Sequence, residues 1–99
     1  MKTKLEYLLE CLAEECNEVA QRKSKLIRFG LTEKEPGQDL NNTERLKQEF
    51  LDLLAVYNMI EDEENTFKFR DVELSAAINK KKEKINKYYE YSKSLGLYE

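Results

Sequence analysis

The stretch ERLKQEFLDLLAVYNMI, residues Glu44–Ile60, has the strongest helical pattern in this sequence of 99 residues. Its large apolar side chains recur at three- and four-residue intervals, which places them on one face of an α-helix. These side chains are Leu46, Phe50, Leu53, Val56, Tyr57 and Ile60. Glu49 falls inside the apolar stripe and Asp52 falls at its edge. The pattern that predicts this helix therefore also predicts two carboxylates close to a hydrophobic core.

An inward-facing Glu49 needs an explanation, because an ionised carboxylate in an apolar interior is disfavoured by several kcal/mol. Three arrangements would make it tolerable. A positive group, such as Arg22 or a bound cation, can neutralise the carboxylate; the carboxyl group can be protonated; or the side chain can reach water. The sequence alone leaves these alternatives open.

An earlier helix is predicted from about Thr3 to Phe29, and Gly30 is a residue type that commonly ends a helix. Its predicted buried residues are Leu5, Leu8, Leu9, Leu12, Cys16, Val19, Leu26 and Ile27. The segment LTEKEPGQDLNN, which follows Gly30 and holds the only proline, is predicted to be a loop. Because asparagine often caps helices, Asn41 or Asn42 is expected to begin the next helix.

A third helix is predicted from about Val72 by the spacing of Leu74, Ile78, Ile85 and Tyr88 or Tyr89. With only three glycines and one proline in the chain, the composition also favours long helices. We therefore expect an all-α helical bundle of about three main helices, in one domain covering residues 1–99. Three helices with wide apolar faces cannot cover one another well at this size, so a homodimer or homotetramer is expected to complete a four-helix-like core.

The composition also narrows the possible functions. The net charge of -3 gives no support to nucleic-acid binding. The absence of histidine excludes Ser-His and Cys-His catalysis and histidine zinc sites. No long apolar run or signal peptide is evident, so no membrane association and a cytoplasmic location are expected. Cys11 and Cys16 are poorly placed for a disulfide within one helix and are predicted to be small buried residues.

Each of the first two helices carries an acidic pair at a three-residue spacing, which puts both members on one face. The pairs are Glu15 with Glu18, and Glu49 with Asp52. If the helices pack antiparallel along their apolar stripes, the four carboxylates converge. Oxygen ligands without histidine or thiolate suit a hard cation, Mg²⁺ or Mn²⁺. The alternative is that both pairs lie on solvated helix faces, where such spacing is common.

The same residues form two recognisable motifs. The segment LLECLAEECNEVAQ contains E-E-x-x-E at Glu14, Glu15 and Glu18, and QEFLDLL contains E-x-x-D at Glu49 and Asp52. In this order, on two helices separated by a loop, they resemble the all-α nucleoside triphosphate pyrophosphatase superfamily, specifically its small MazG-like proteins. The phrase SKLIRFGL is also similar to short MazG-like proteins of bacteria and their phages. The resemblance covers about residues 8–60.

This resemblance implies Mg²⁺-dependent hydrolysis of a (deoxy)nucleoside triphosphate between the α and β phosphates, giving the monophosphate and pyrophosphate. The implied metal ligands are Glu15, Glu18, Glu49 and Asp52. Glu18 is expected to accept the proton of the attacking water, and Glu14 to orient that water. Lys25 and Arg28, one or two turns beyond the acidic motif, are predicted to bind the leaving pyrophosphate, although ordinary surface charge explains them equally well.

A non-enzymatic function is the alternative. An acidic helical face can dock a basic partner, which would make the chain an interaction module. A nucleotide sensor that has kept the metal ligands and lost hydrolysis is a further possibility. The sequence does not separate these functions from an enzyme, because the same carboxylates bind metal in an enzyme and in a sensor.

Overall fold

The computed structural model describes residues 1–99 and contains three α-helices and no strand. Helix α1 spans Lys4–Phe29, α2 spans Asn42–Glu63 and α3 spans Asp71–Ser94, and a short 3-10 helix follows α2 at Asn65–Phe67. The all-α prediction with three main helices is therefore confirmed. None of these helices combines the length and the apolar character that crossing a bilayer requires.

The start of α2 is fixed by a reciprocal cap. The side chain of Asn41 accepts a hydrogen bond from the backbone N–H of Glu44 at 2.9 Å, and the Glu44 carboxylate accepts one from the backbone N–H of Asn41 at 3.1 Å. This capping box satisfies two N–H groups that the first helical turn leaves without partners. Of the two asparagines predicted as caps, Asn41 is therefore the one that caps α2.

The end of α1 also lies where the sequence predicts it. Gly30 donates its backbone N–H to the carbonyl of Leu26 at 2.8 Å and has a φ of 96°. That backbone conformation is readily available to glycine and strained for other residues. Gly30 therefore stops α1 and turns the chain into the loop that leads to α2.

The chain divides into two compact units, Met1–Phe67 and Lys68–Glu99. In the first unit, α1 and α2 pack against each other as an antiparallel hairpin. An ion pair of 3.8 Å joins Lys4, at the start of α1, to Glu63, at the end of α2. The expectation of one MazG-like domain over the whole chain stays a prediction.

The interior of the hairpin is small and partly polar. Leu8 and Ile60 are its buried apolar residues, exposed by only 3% and 0%, and Arg22 and Asn42 are its buried polar residues. The Asn42 amide donates hydrogen bonds to the Gly30 carbonyl at 2.9 Å and to the Glu33 carboxylate at 2.8 Å. Asn42 is thus satisfied, and it ties the start of α2 to the end of α1.

Several residues predicted to be buried are exposed. On α1 these are Leu9, Cys16 and Ile27, with Ile27 exposed by 74%; on α2, Phe50 is exposed by 50%. In a hairpin each helix has one neighbour, which covers only an arc of its apolar stripe. The predicted burial of these four side chains is therefore wrong, because helical periodicity reports an apolar face and not whether another element covers it.

In the second unit, no residue of α3 is buried. The apolar side chains that predict this helix are between 42% and 55% exposed; they are Leu74, Ile78, Ile85, Tyr88 and Tyr89. The predicted helix is confirmed, and it begins one residue earlier than expected, at Asp71. This unit contains a single helix, so it offers no second element of its own to cover the apolar side.

Candidate functional site

Three carboxylates meet where α1 packs on α2. One carboxylate oxygen from each of Glu15, Glu49 and Asp52 lies within 4.8 Å of the other two. All three side chains are half-buried. Glu15 comes from α1, whereas Glu49 and Asp52 come from α2. The structure therefore brings together three of the four residues predicted to bind metal.

The sequence places Glu15 on the side of α1 that faces α2. Leu8, Glu15 and Arg22 are spaced seven residues apart, which is close to two full helical turns, so they lie along one line of the helix. Leu8 and Arg22, at the two ends of this line, are both buried. The face of α1 that packs on α2 therefore changes from apolar to acidic to basic along its length.

An equivalent line runs along α2. Asn42, Glu49 and Val56 are also spaced seven residues apart, with Asn42 buried and the other two half-buried. Because the helices are antiparallel, the middle of one line opposes the middle of the other. Glu15 and Glu49 occupy those two middles, and Asp52 joins them because it lies three residues after Glu49.

The carboxylate centre, defined as Glu15, Glu49 and Asp52, places three like charges close together. Partial burial, followed by repulsion from Asp52 and Glu49, raises the pKa of the Glu15 carboxyl. The Gln48 amide donates a hydrogen bond to Asp52 at 3.0 Å. No ion pair involves any member of the centre, so the proposed neutralisation of Glu49 by Arg22 does not occur. The negative charge of the carboxylate centre is therefore left without a basic partner.

Glu14 and Glu18 lie beside this centre without joining it. Both side chains are exposed, and neither belongs to the group of three oxygens. Their charges nevertheless contribute to the raised pKa of Glu15. Glu18 is therefore close enough to influence the centre electrostatically, and the ligand and proton-acceptor roles of Glu18 and the water-orienting role of Glu14 stay predictions.

The two residues predicted to bind pyrophosphate have different surroundings. Lys25 is half-buried, and its Nζ lies 3.9 Å from a carboxylate oxygen of Glu35 in the loop. Arg28 is exposed, and its guanidinium carbon lies 5.8 Å from the centre of the Phe29 ring. Lys25 thus belongs to a cluster at the loop end of the hairpin, whereas Arg28 contacts an exposed aromatic ring.

Glu35 and Arg45 are members of that cluster which the sequence analysis missed. Arg45 Nη1 donates a hydrogen bond of 2.6 Å to Glu35 Oε2. This bond, assisted by Lys25, lowers the pKa of the Glu35 carboxyl. Glu35 has no helical periodicity that would reveal its position, because it lies in the loop. For Arg45, the only signal in the sequence is that a basic residue lies one helical turn before Glu49.

Cys11 is half-buried and Cys16 is exposed, and both are free thiols. The prediction that both are buried is therefore wrong for Cys16, which lies on the uncovered side of α1.

No protein-family model matches this sequence, and no curated protein or solved structure shows a detectable similarity to it. The MazG-like resemblance accordingly rests on the two acidic motifs and stays a prediction.

Proposed function

We propose that this chain is a Mg²⁺-dependent nucleotide pyrophosphohydrolase of the MazG-like type. The observation that carries the proposal is the convergence of Glu15, Glu49 and Asp52 within 4.8 Å, from two helices, with no basic side chain paired to them. Three carboxylates held so close together repel one another, as the raised pKa of Glu15 reflects. A divalent cation is the simplest ligand that offsets this repulsion.

The donor set fits magnesium. Mg²⁺ prefers oxygen ligands and usually keeps several positions for water and substrate phosphate oxygens. Three carboxylates from Glu15, Glu49 and Asp52 leave such positions open. When bound there, Mg²⁺ or Mn²⁺ would supply positive charge beside the α and β phosphates and would favour deprotonation of water.

The chain's own groups would divide the remaining work. Glu49 and Asp52, which share one face of α2, would hold the cation together with Glu15 of α1. Glu18, exposed one turn beyond Glu15, accepts the proton of the water that attacks the α phosphorus. Glu14 orients that water from the flank of α1. The bond between the α phosphorus and the bridging oxygen breaks, and pyrophosphate leaves.

We also propose that the protein acts as a homodimer or homotetramer. Val19 and the α2 residues Leu46, Phe50 and Leu51 line an open apolar groove of about 420 Å³ on the hairpin. The chain supplies three α-helices, so a four-helix core would draw helices from a second copy. Burial of this groove would remove an apolar surface that a single hairpin leaves in water.

Product analysis tests the activity. Common ribo- and deoxynucleoside triphosphates, with uracil-containing and oxidised ones, are incubated with Mg²⁺, and the release of monophosphate and pyrophosphate is measured. Glu49→Gln should abolish release while the helical circular dichroism is retained. Asp62→Asn, which removes an exposed acid of the same helix, is the matched control. Hydrolysis by Glu49→Gln at the wild-type rate would refute the assignment.

Docking of a basic partner is the second candidate function, because Glu14 and Glu18 expose two carboxylates beside the carboxylate centre. A basic protein partner would relieve the same repulsion as a metal ion. Thermal melting separates the two functions. An unchanged melting temperature with Mg²⁺ or Mn²⁺, in the presence and absence of nucleotides, would favour the docking module.

A further inference from the structure

At the loop end of the hairpin, two cations contact the carboxylate of Glu35, and a third, Arg22, acts on it electrostatically. Arg45 donates to one oxygen of Glu35 at 2.6 Å, and Lys25 lies 3.9 Å from the other oxygen. The positive charge of Arg22 also contributes to the lowered pKa of Glu35. Glu33 lines the same cavity as Glu35 and Lys25, so two carboxylates lie near three basic side chains, and only Glu35 is ion-paired to any of them.

Arg22 has an unmet need for an acceptor. Its side chain lies in the hairpin interior with the residue only 8% exposed, and its Nη1 is the one buried side-chain polar atom in the chain without a hydrogen-bond partner. A buried N–H donor of a charged group that lacks an acceptor is costly. The Glu35 carboxylate, with its two oxygens directed to Arg45 and Lys25, leaves this donor unsatisfied.

The position of this cluster relative to the carboxylate centre is defined by α1. Arg22 follows Glu15 by seven residues, which corresponds to about 10 Å along the helix. Next to Glu35, a cavity of about 230 Å³ opens between the loop and α1. Its lining includes Lys25 and Glu35, together with Phe29, Glu33, Pro36 and Asn42. Lys25 therefore lines a space that can admit a small molecule, and Arg45 is joined to that space through its ion pair with Glu35.

We propose that Arg22, Lys25 and Arg45 form a binding site for a diphosphate group, and that Glu35 is an internal competitor which the diphosphate displaces. A guanidinium pairs well with phosphate oxygens, often through two parallel hydrogen bonds. A diphosphate carries more charge and more acceptor oxygens than a carboxylate, so it can engage Arg45 and Lys25 and also supply the acceptor that Arg22 lacks.

The loop is built so that Glu35 can leave without unfolding the hairpin. Glu33, two residues earlier, is held by a hydrogen bond of 2.8 Å from the Asn42 amide, which also binds the Gly30 carbonyl. The Glu35 carboxylate contacts Arg45 and Lys25, whereas its backbone carbonyl accepts a separate hydrogen bond from the Gln38 N–H at 2.9 Å. Displacing its carboxylate therefore breaks those contacts and leaves the anchor at Asn42 intact.

The place of this site in the reaction rests on the proposed function: the diphosphate would be the β and γ phosphates of the substrate, released as pyrophosphate. The cation cluster itself requires no metal and no hydrolysis. Binding of inorganic pyrophosphate to the full-length chain in EDTA therefore tests it separately from the enzymatic activity.

Isothermal titration calorimetry of pyrophosphate in EDTA is the experiment. Glu35→Gln should tighten binding several-fold because the competitor loses its charge. Arg45→Gln and Arg22→Gln should each weaken it by about tenfold or more, since each removes a charged hydrogen-bond donor. Lys23→Gln removes an exposed cation of α1 outside the cluster and should bind as the wild type does.

The expected pattern needs all these variants together. Equal affinity of Glu35→Gln and the wild type, or a loss with Lys23→Gln as large as that with Arg45→Gln, would overturn the proposal, as would absence of binding by every form. If Arg22→Gln does not fold, Lys25→Gln and Arg45→Gln decide the outcome. Pyrophosphate binding with this pattern but without nucleotide hydrolysis would support the diphosphate site and refute only the enzymatic activity. Hydrolysis without an effect of Glu35→Gln on pyrophosphate binding would support the enzymatic activity and refute the diphosphate site.

Discussion

Glu15 and Glu35 are half-buried glutamates of the same hairpin, and their surroundings push them in opposite directions. Glu15 lies among carboxylates, and partial burial with repulsion from Asp52 and Glu49 raises its pKa. Glu35 lies among cations, and the bond from Arg45 with the charge of Lys25 lowers its pKa. The hairpin thus has carboxylates without basic partners at its centre, whereas the helical residues Arg22, Lys25 and Arg45 outnumber Glu33 and Glu35 near the loop.

This separation differs from the usual surface pattern, in which opposite charges are interspersed and neutralise one another. Neither excess is resolved within the hairpin itself. A ligand that is positive at one end and negative at the other, such as a metal ion carrying a polyphosphate, complements both. Experiments should therefore test whether the electrostatic surroundings of Glu15 and Glu35 differ in this way.

The largest expected effect is on hydrolysis. Glu15→Gln should lower monophosphate release by about 100-fold or more, because it removes a proposed ligand of the catalytic metal. Glu35→Gln should retain measurable hydrolysis and become more sensitive to inhibition by added pyrophosphate. Initial rates with and without pyrophosphate measure both. Similar losses in the two variants would show that the two glutamates do not have distinct roles.

Metal binding should follow as a thermal shift of the full-length protein. At a Mg²⁺ concentration about 100 times its dissociation constant, binding to the folded state contributes about 2.7 kcal/mol. For a domain of this size that corresponds to a melting-temperature increase on the order of 10 °C. Glu49→Gln should lose most of this shift while Asp62→Asn keeps it. A shift that survives in Glu49→Gln would place the cation elsewhere.

The sign of the stability change in EDTA at neutral pH should differ between the two glutamates. Glu15→Gln relieves repulsion with Glu49 and Asp52, so its melting temperature should rise by a few degrees. Glu35→Gln removes the partner of Arg45 and Lys25, so its melting temperature should fall. Differential scanning calorimetry without metal or phosphate compares them. Shifts of the same sign would contradict the electrostatic contrast.

The smallest expected effect is in the pH dependence of stability. The folded-state pKa of Glu35 lies below its ordinary value of 4.5, so its stabilising contribution is present above pH 4.5 and is lost as the pH falls through the folded-state pKa. The folded-state pKa of Glu15 lies above 4.5, so its ionisation costs stability as the pH rises past that value.

Melting curves between about pH 3 and 7 in EDTA check both signs. Relative to the wild type, Glu35→Gln should lose less stability on acidification below pH 4.5, and Glu15→Gln should lose less as the pH rises above 4.5. The exposed Asp62→Asn serves as the control. Parallel curves for all four proteins would show that neither carboxyl group has a shifted pKa.

Much of the hairpin could be predicted from the sequence because local chemistry determines it. Asn41 and Gly30 fix where helices begin and end, and seven-residue spacing aligns Glu15 with Glu49 once the helices are antiparallel. The pattern could not show which apolar residues find a neighbour. Ile27 and Phe50 have the same periodicity as buried residues and are exposed, because burial depends on what lies opposite.

The loop cluster was not predictable for a different reason. The contact between Glu35 and Arg45 depends on the path of a loop without helical or strand periodicity. That path is set by tertiary contacts such as the hydrogen bonds from the Asn42 amide to Gly30 and Glu33. A pattern in the sequence reports faces of regular elements, so the partners of loop side chains remain hidden until the fold is known.

Asn42 has one more consequence, for the axial alignment of α1 and α2. Its amide ties the first turn of α2 to the Gly30 carbonyl just after α1 and, with the hydrogen bonds from Thr43 to Leu31, holds the two helices against sliding past each other. A slip of one turn would move Glu49 by about 5.4 Å relative to Glu15, farther than their oxygens are now apart. A substitution at Asn42 is thus expected to separate the carboxylate oxygens of Glu15, Glu49 and Asp52, although Asn42 lies about 10 Å from Glu49 along the helix.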